Sequence, residues 1–135
     1  MDFNFIIENI PKYLEAMKLT VIIGIFGIIF SILIGIVCAL VLYYRVPAAR
    51  QIVSIYIELS RNTPLVIQLF FLYFGLPKIG ITFNSYICAV IGLSFLGGSY
   101  MCEAFRSGLE SVTKGQRESG LSIGLTESQL ITNVI

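Results

Sequence analysis

Between Lys18 and Arg45 no side chain carries a charge. The intervening run, 19–44, reads "LTVIIGIFGIIFSILIGIVCALVLYY". A bilayer core is crossed by about 20 apolar residues in a helix, so this run predicts a membrane span. The competing reading is a cleaved signal peptide, whose apolar core is shorter, roughly 7 to 15 residues, and follows a basic start. Here the start is "MDFNFIIENIPKYLEAMK", with Asp2, Glu8 and Glu15 against Lys12 and Lys18. A retained span is therefore expected, preceded by an extracytoplasmic segment over 1–18. Composition agrees. Of the residues 56% are hydrophobic and 13% charged, where a soluble domain carries roughly 25% charged. Such a chain has too little polar surface to cover itself in water. Its formal net charge is +1 with no basic run, so no nucleic-acid partner is expected.

Two further apolar runs follow. Arg61 and Lys78 enclose "NTPLVIQLFFLYFGLP", short for a span by itself. The mostly apolar "QIVSIYIELS" before it extends the second span to about 52–76. Pro64 fits the first turn of a helix with Thr63 as N-cap, and it equally fits a kink. Lys78 and Glu103 enclose the third run. Its opening "IGITFN" predicts a turn, and the span is expected over about 85–105. Arginine and lysine set the direction. Arg45, Arg50 and Arg61 lie between spans one and two, Lys78 alone between two and three, and Arg106, Lys114 and Arg117 after three. The first and third groups then face the cytoplasm, and the N-terminus lies outside.

The spans offer little chemistry. There is no histidine, hence no Ser/His/Asp set and no common metal ligand. No carboxylate sits firmly inside a span, which argues against an ion-coupled carrier. There is no G-x-x-x-x-G-K-[ST] run to cradle ATP. No catalytic, metal-binding or cofactor-binding residue is expected. Cys38, Cys88 and Cys102 lie in apolar segments without C-x-x-C spacing and are read as small buried hydrophobes. Gly27, Ser31 and Gly35 share one face of span one, as Ser94, Gly98 and Cys102 do on span three. Such faces let helices approach closely. Gln68 is the most polar side chain well inside span two. It and Ser94 are the candidates for lining a path, against the alternative of helix-to-helix bonding.

After span three the chain turns polar: "EAFRSGLESVTKGQRESGLSIGLTESQLITNVI". Arg106 can pair with Glu103 or Glu110 on a helix face. A short helix over 116–123 is predicted, ended by Gly124 in the left-handed conformation. Thr126 followed by Gln129 fits a capping box that opens another helix. This helix–break–helix is either a connector or a docking element for a soluble partner.

These residues carry a resemblance. The stretch "IELSRNTPLVIQLFFLYFGLP" (57–77) is similar to the E-x-x-R-x-T-P-L-x-x-Q pattern of permease subunits of ATP-binding-cassette importers, in their polar amino-acid branch. Glu58, Arg61, Thr63, Pro64, Leu65 and Gln68 fit it position by position. The later loop resembles the family's E-A-A-x-x-x-G motif with its following I-x-L-P. Glu118 and Gly124 fit, Ser119 and Gly120 stand in place of the two alanines, and Val134 takes the isoleucine position. The flank over 100–116 resembles the same branch.

The resemblance implies an all-α membrane protein: three transmembrane helices followed by a cytoplasmic coupling-helix loop over about 106–135, part of the type I importer permease fold. It implies residence in the cell membrane and a second permease subunit, identical or paralogous. It implies two cytoplasmic ATPase subunits that grip Glu118, Ser119, Gly120, Gly124, Leu125 and Thr126, and an external binding protein that delivers an amino acid. Family members continue through Leu-Pro and two more spans, whereas this sequence stops at Ile135. A truncated chain, inactive by itself, is therefore expected. The alternative function is a non-transporting anchor that uses the final segment only to recruit a partner.

Overall fold

A computed structural model describes residues 3–111, 114–126 and 129–130. Its elements are helices: α1 (Phe3–Tyr43), α2 (Ala49–Asn62), α3 (Leu65–Phe70), α4 (Ser85–Ser111) and α5 (Lys114–Ser122). Past α3 the chain keeps winding, first through a wide π turn over Phe71–Gly75 and then a tight 3-10 turn over Leu76–Ile79. Gly80 ends that winding at φ 88°, a conformation that an L side chain adopts only with strain. Asn84 then opens α4, its Oδ1 accepting from the Ile87 amide at 2.8 Å.

α1 runs for 41 residues without a break, through Pro11. At about 1.5 Å per residue it is roughly twice as long as a hydrocarbon core is thick. Within it Asn9–Tyr43, and separately Ser85–Ser111, are long and apolar enough to cross a membrane. The expected second span is not one helix. α2 and α3 meet at Thr63 and Pro64, whose backbones are extended (ψ 121° and 139°). Pro64, not Thr63, is the N-cap of α3, and no side chain caps it. Of the two readings of Pro64 the structure has the kink. The physical reason is steric, since proline's ring drives the preceding residue out of the helical region.

The packing is inverted relative to a protein in water. The buried side chains are small: Ser31, Ala39, Ser60, Ser99 and Cys102. Large apolar groups such as Phe26, Ile29, Leu33 and Val37 point outward, as they do where lipid is the solvent. The main seam joins α1 to α4. A methyl group placed on Gly35 would lie 2.5 Å from Met101 Cβ and 2.9 Å from the Cys102 amide nitrogen. One turn away, Ser31 Oγ occupies the space a side chain on Gly97 would need, and beyond it Leu93 packs on Gly27. The small face expected on span one is thus at the contact. On α4 the residue opposite Ser31 is Gly97, which the reading of Ser94, Gly98 and Cys102 passed over. Gly98 instead faces Ile34 and Tyr56. Cys38, Cys88 and Cys102 are buried and unbridged, and Cys38 and Cys102 form the centre of the apolar cluster with Ala39.

This seam can be tested by overpacking. Gly35→Val should destabilise the folded chain in detergent by about 2 kcal/mol, because backbone rather than a mobile side chain stands in the way. Gly24→Val, on the same helix with nothing within 4 Å, should cost less than about 0.5 kcal/mol. Equal losses in denaturant titrations of the two variants would contradict the packing described.

Candidate functional site

A proline inside a membrane segment removes a donor that water cannot replace. In a continuous helix the carbonyl of Ser60 would accept from the amide of residue 64, which proline lacks. The amide of Ile67 turns to Pro64 O at 3.0 Å, so the Thr63 carbonyl also loses its helical donor. Gln68 supplies both missing bonds. Its Nε2 donates to Ser60 O at 3.0 Å and to Thr63 O at 2.9 Å. The orientation of the amide is therefore fixed, since the reverse would set an oxygen against two carbonyl oxygens. Its Oε1 is buried with no hydrogen-bond partner. Gln68 also lines a pocket of about 360 Å³ with Ile67, Phe71, Ile91 and Phe95.

The rest of the first motif gathers around the same break. Leu65 and Leu69 lie over Gly92, where a methyl group would meet Leu69 Cδ2 at 2.7 Å and Leu65 Cδ1 at 3.4 Å. Arg61 pairs with Glu103 of α4 and lies over the Tyr100 ring, 5.1 Å from its centroid. Glu103 thus bonds across to α2 rather than to Arg106, whose Nε instead reaches Glu110 Oε1 at 3.0 Å. Glu58 is exposed on the wall of a cleft. Ser94 is buried and gives its hydroxyl proton to Val90 O at 2.6 Å.

Three residues outside the motif readings complete the junction. Tyr56 Oη donates to Phe95 O at 2.6 Å. Ser60 Oγ lies 3.0 Å from Phe95 O and 3.1 Å from Ser99 Oγ, and donates to one at a time. Ser99 in turn donates to Leu96 O at 2.7 Å. The signal was there to be read, because Tyr56 and Ser60 fall four apart on α2 and so share a face.

At the other end, α5 overlaps the helix predicted over 116–123 but starts earlier, at Lys114, and ends one residue sooner, at Ser122. Its close is a complete Schellman turn. The amide of Leu125 reaches Gly120 O at 3.1 Å and that of Gly124 reaches Leu121 O at 3.0 Å, with Gly124 at φ 87°. This is the geometry in which a left-handed glycine satisfies the last carbonyls of a helix. The capping box follows. Thr126 N donates to Gln129 Oε1 at 2.9 Å, and Gln129 N to Thr126 Oγ1 at 3.3 Å. Leu130, 2% exposed, folds back so that its Cδ2 would lie 2.5 Å from a methyl group on Gly120. Glycine at 120, where the family pattern has alanine, leaves room for that side chain. Glu118, Ser119, Leu121 and Ile123 are exposed on the elbow. Val134 lies outside the described residues.

The role given to Gln68 predicts a specific non-additivity. Gln68→Leu should cost about 2 kcal/mol by leaving two carbonyls without donors. In a Pro64→Ala background, where residue 64 regains an amide, the same change should cost less than half as much. A double-mutant cycle read by unfolding in detergent checks this, and additive losses would contradict it.

The family described as "Binding-protein-dependent transport system inner membrane component" matches residues 31–135. Among relatives, the probable amino-acid ABC transporter permease protein PatM of Vibrio harveyi is 34% identical over 137 residues, covering 99% of this chain and 61% of its own. The probable amino-acid permease protein YxeN of Bacillus subtilis (strain 168) is 34% identical over 138 residues, covering 100% and 62%. A solved structure described as "Crystal structure of an amino acid ABC transporter with histidines" superposes with a TM-score of 0.82 at 27% identity, over 96% of this chain and 61% of that one. The chain thus spans about three-fifths of the length of these relatives.

Proposed function

Because this chain belongs to the family of binding-protein-dependent transport system inner-membrane components, we propose that it is a membrane-spanning permease subunit of an ATP-driven amino-acid importer. The substrate class rests on what the relatives are named for. The working part proposed is the elbow of α5, Gly124 and Thr126. That elbow carries the reading because it is preorganised and still unburied: Schellman turn and capping box fix its shape, while Glu118 and Ile123 remain exposed.

In this reading Glu118, Ser119, Gly124, Leu125 and Thr126 seat in a cytoplasmic ATPase subunit, one per permease subunit, while Gly120, expected among them, lies buried beneath Leu130 and shapes the elbow from within. ATP binding and hydrolysis occur in that partner. Closure of the ATPase pair pulls the elbow, and α4 transmits the pull as a rigid rod because the seam to α1 and the Arg61–Glu103 tie leave it no slack. The helices of two permease subunits, alike or paralogous, then exchange inward- and outward-facing arrangements. An extracytoplasmic binding protein delivers the amino acid. The placement of arginines supports the orientation, with the N-terminus outside and the elbow in the cytoplasm. Spans over about 19–44, 52–76 and 85–105 cross the cell membrane, and Gln68 and Ser94 are the proposed path residues.

The complete permease, assembled with its ATPase and binding protein, tests this. Glu118→Ala removes the exposed carboxylate without touching the turn. Gly124→Pro forbids the positive φ and deletes the amide that bonds Leu121. Each should lower ATP-dependent amino-acid uptake at least roughly tenfold, a loss of about 1.4 kcal/mol of coupling, with membrane insertion retained. Unchanged uptake in both would overturn the coupling role.

A further inference from the structure

Arg45, in the α1–α2 connector, and Arg50, in the first turn of α2, serve the transport reading only through their charge. A cleft of about 660 Å³ opens between this connector, α2 and α4. Charged side chains dominate its wall: Arg45, Arg50, Arg61 and Arg106 against Glu58 and Glu110. Arg61 and Arg106 are already tied to Glu103 and Glu110. Arg45 and Arg50 make no ion pair with any described residue. Arg45 is moreover held at φ 53° and Ala48 at φ 62°, so the connector keeps two strained residues on either side of Val46 and Pro47.

A second hollow of about 860 Å³ shares Arg45, Arg50 and Ser54 with the first and adds Val46 and Ile55. Ile55 belongs to an outward row on α2 with Ile52 and Leu59, all more than half exposed. They recur at helical spacing, so they form one apolar stripe. Two cations with no ion pair among the described residues thus stand at the head of an exposed apolar stripe. A molecule that satisfies both has a negative head and a hydrocarbon tail.

We propose that the connector and α2 form a binding site for one anionic phospholipid. Its phosphate lies between Arg45 and Arg50, and an acyl chain lies along Ile52, Ile55 and Leu59. Guanidinium groups donate paired hydrogen bonds to phosphate oxygens, and basic side chains at the membrane surface favour anionic over zwitterionic lipid. The site does not depend on the direction of the chain in the membrane. It therefore stands or falls separately from the transport reading.

Native mass spectrometry of the full chain, extracted from vesicles of equal phosphatidylcholine and phosphatidylglycerol, tests it. One phosphatidylglycerol should remain bound, with a roughly tenfold preference over phosphatidylcholine. Arg45→Gln with Arg50→Gln should abolish the preference, while Lys78→Gln, in the 3-10 turn beyond α3, should leave it intact. Ile52→Ser with Ile55→Ser should weaken retention of the lipid. If the double arginine variant fails to insert, Arg50→Gln alone should reduce the preference several-fold. Equal retention of both lipids, or a preference unchanged by removal of the arginines, would overturn the site. Displacement of the lipid by millimolar inorganic phosphate would overturn the lipid assignment in favour of a free anion.

Discussion

The close approach of α1 and α4 is the contact on which the other features rest. Lipid offers no hydrophobic drive for helices to associate, so association depends on fit. Gly35 against Met101 and Ser31 against Gly97 bring two backbones together where any larger residue would hold them apart. With α4 fixed, its Phe95 carbonyl becomes the anchor for the hydroxyls of Tyr56 and Ser60, with the Ser99 hydroxyl beside it. α2 is thus hung on α4 by polar bonds, whereas α1 is held by shape.

The break at Pro64 follows from proline itself, whose ring keeps Thr63 out of the helical region. A proline there leaves two carbonyls without helical donors, and Gln68 returns to cover them. The first sequence motif is therefore largely a device for keeping a kink. Thr63 and Pro64 make it, Gln68 satisfies its carbonyls, Leu65 seats the next helix on Gly92, and Arg61 ties the preceding helix to Glu103. The kink changes the direction of the chain just above the cleft that Arg45 and Arg50 line, so the polar rim and the apolar interior meet at one junction.

Much of this was legible in residues alone. Runs without charge pointed to the apolar stretches of α1 and α4, although α1 begins at Phe3, well before the charge-free run over 19–44. Gly124 and the Thr126–Gln129 pair announced the elbow, because turn chemistry is local and a few neighbouring residues decide it. What was not legible involved pairing at a distance. Gln68 was recognised as polar and out of place, but its partners eight and five residues earlier depend on a kink that the pattern left open. Arg106 had two glutamates within reach along the helix, and only the crossing of α2 over α4, which gives Glu103 to Arg61, leaves it Glu110. Gly97 was overlooked beside Gly98 because spacing identifies a face only to within one residue. Leu130 over Gly120 required the elbow itself.

The account of the protein as a permease turns on the elbow meeting an ATPase on the cytoplasmic side. Its native cysteines are buried, so a single exposed cysteine can report on that meeting. Ser119→Cys in the complete permease, assembled with its ATPase in membranes, should form an adduct with the ATPase through a short thiol cross-linker. It should also resist a membrane-impermeant thiol reagent added outside intact cells. No ATPase adduct, together with rapid labelling from outside, would contradict both the orientation and the docking.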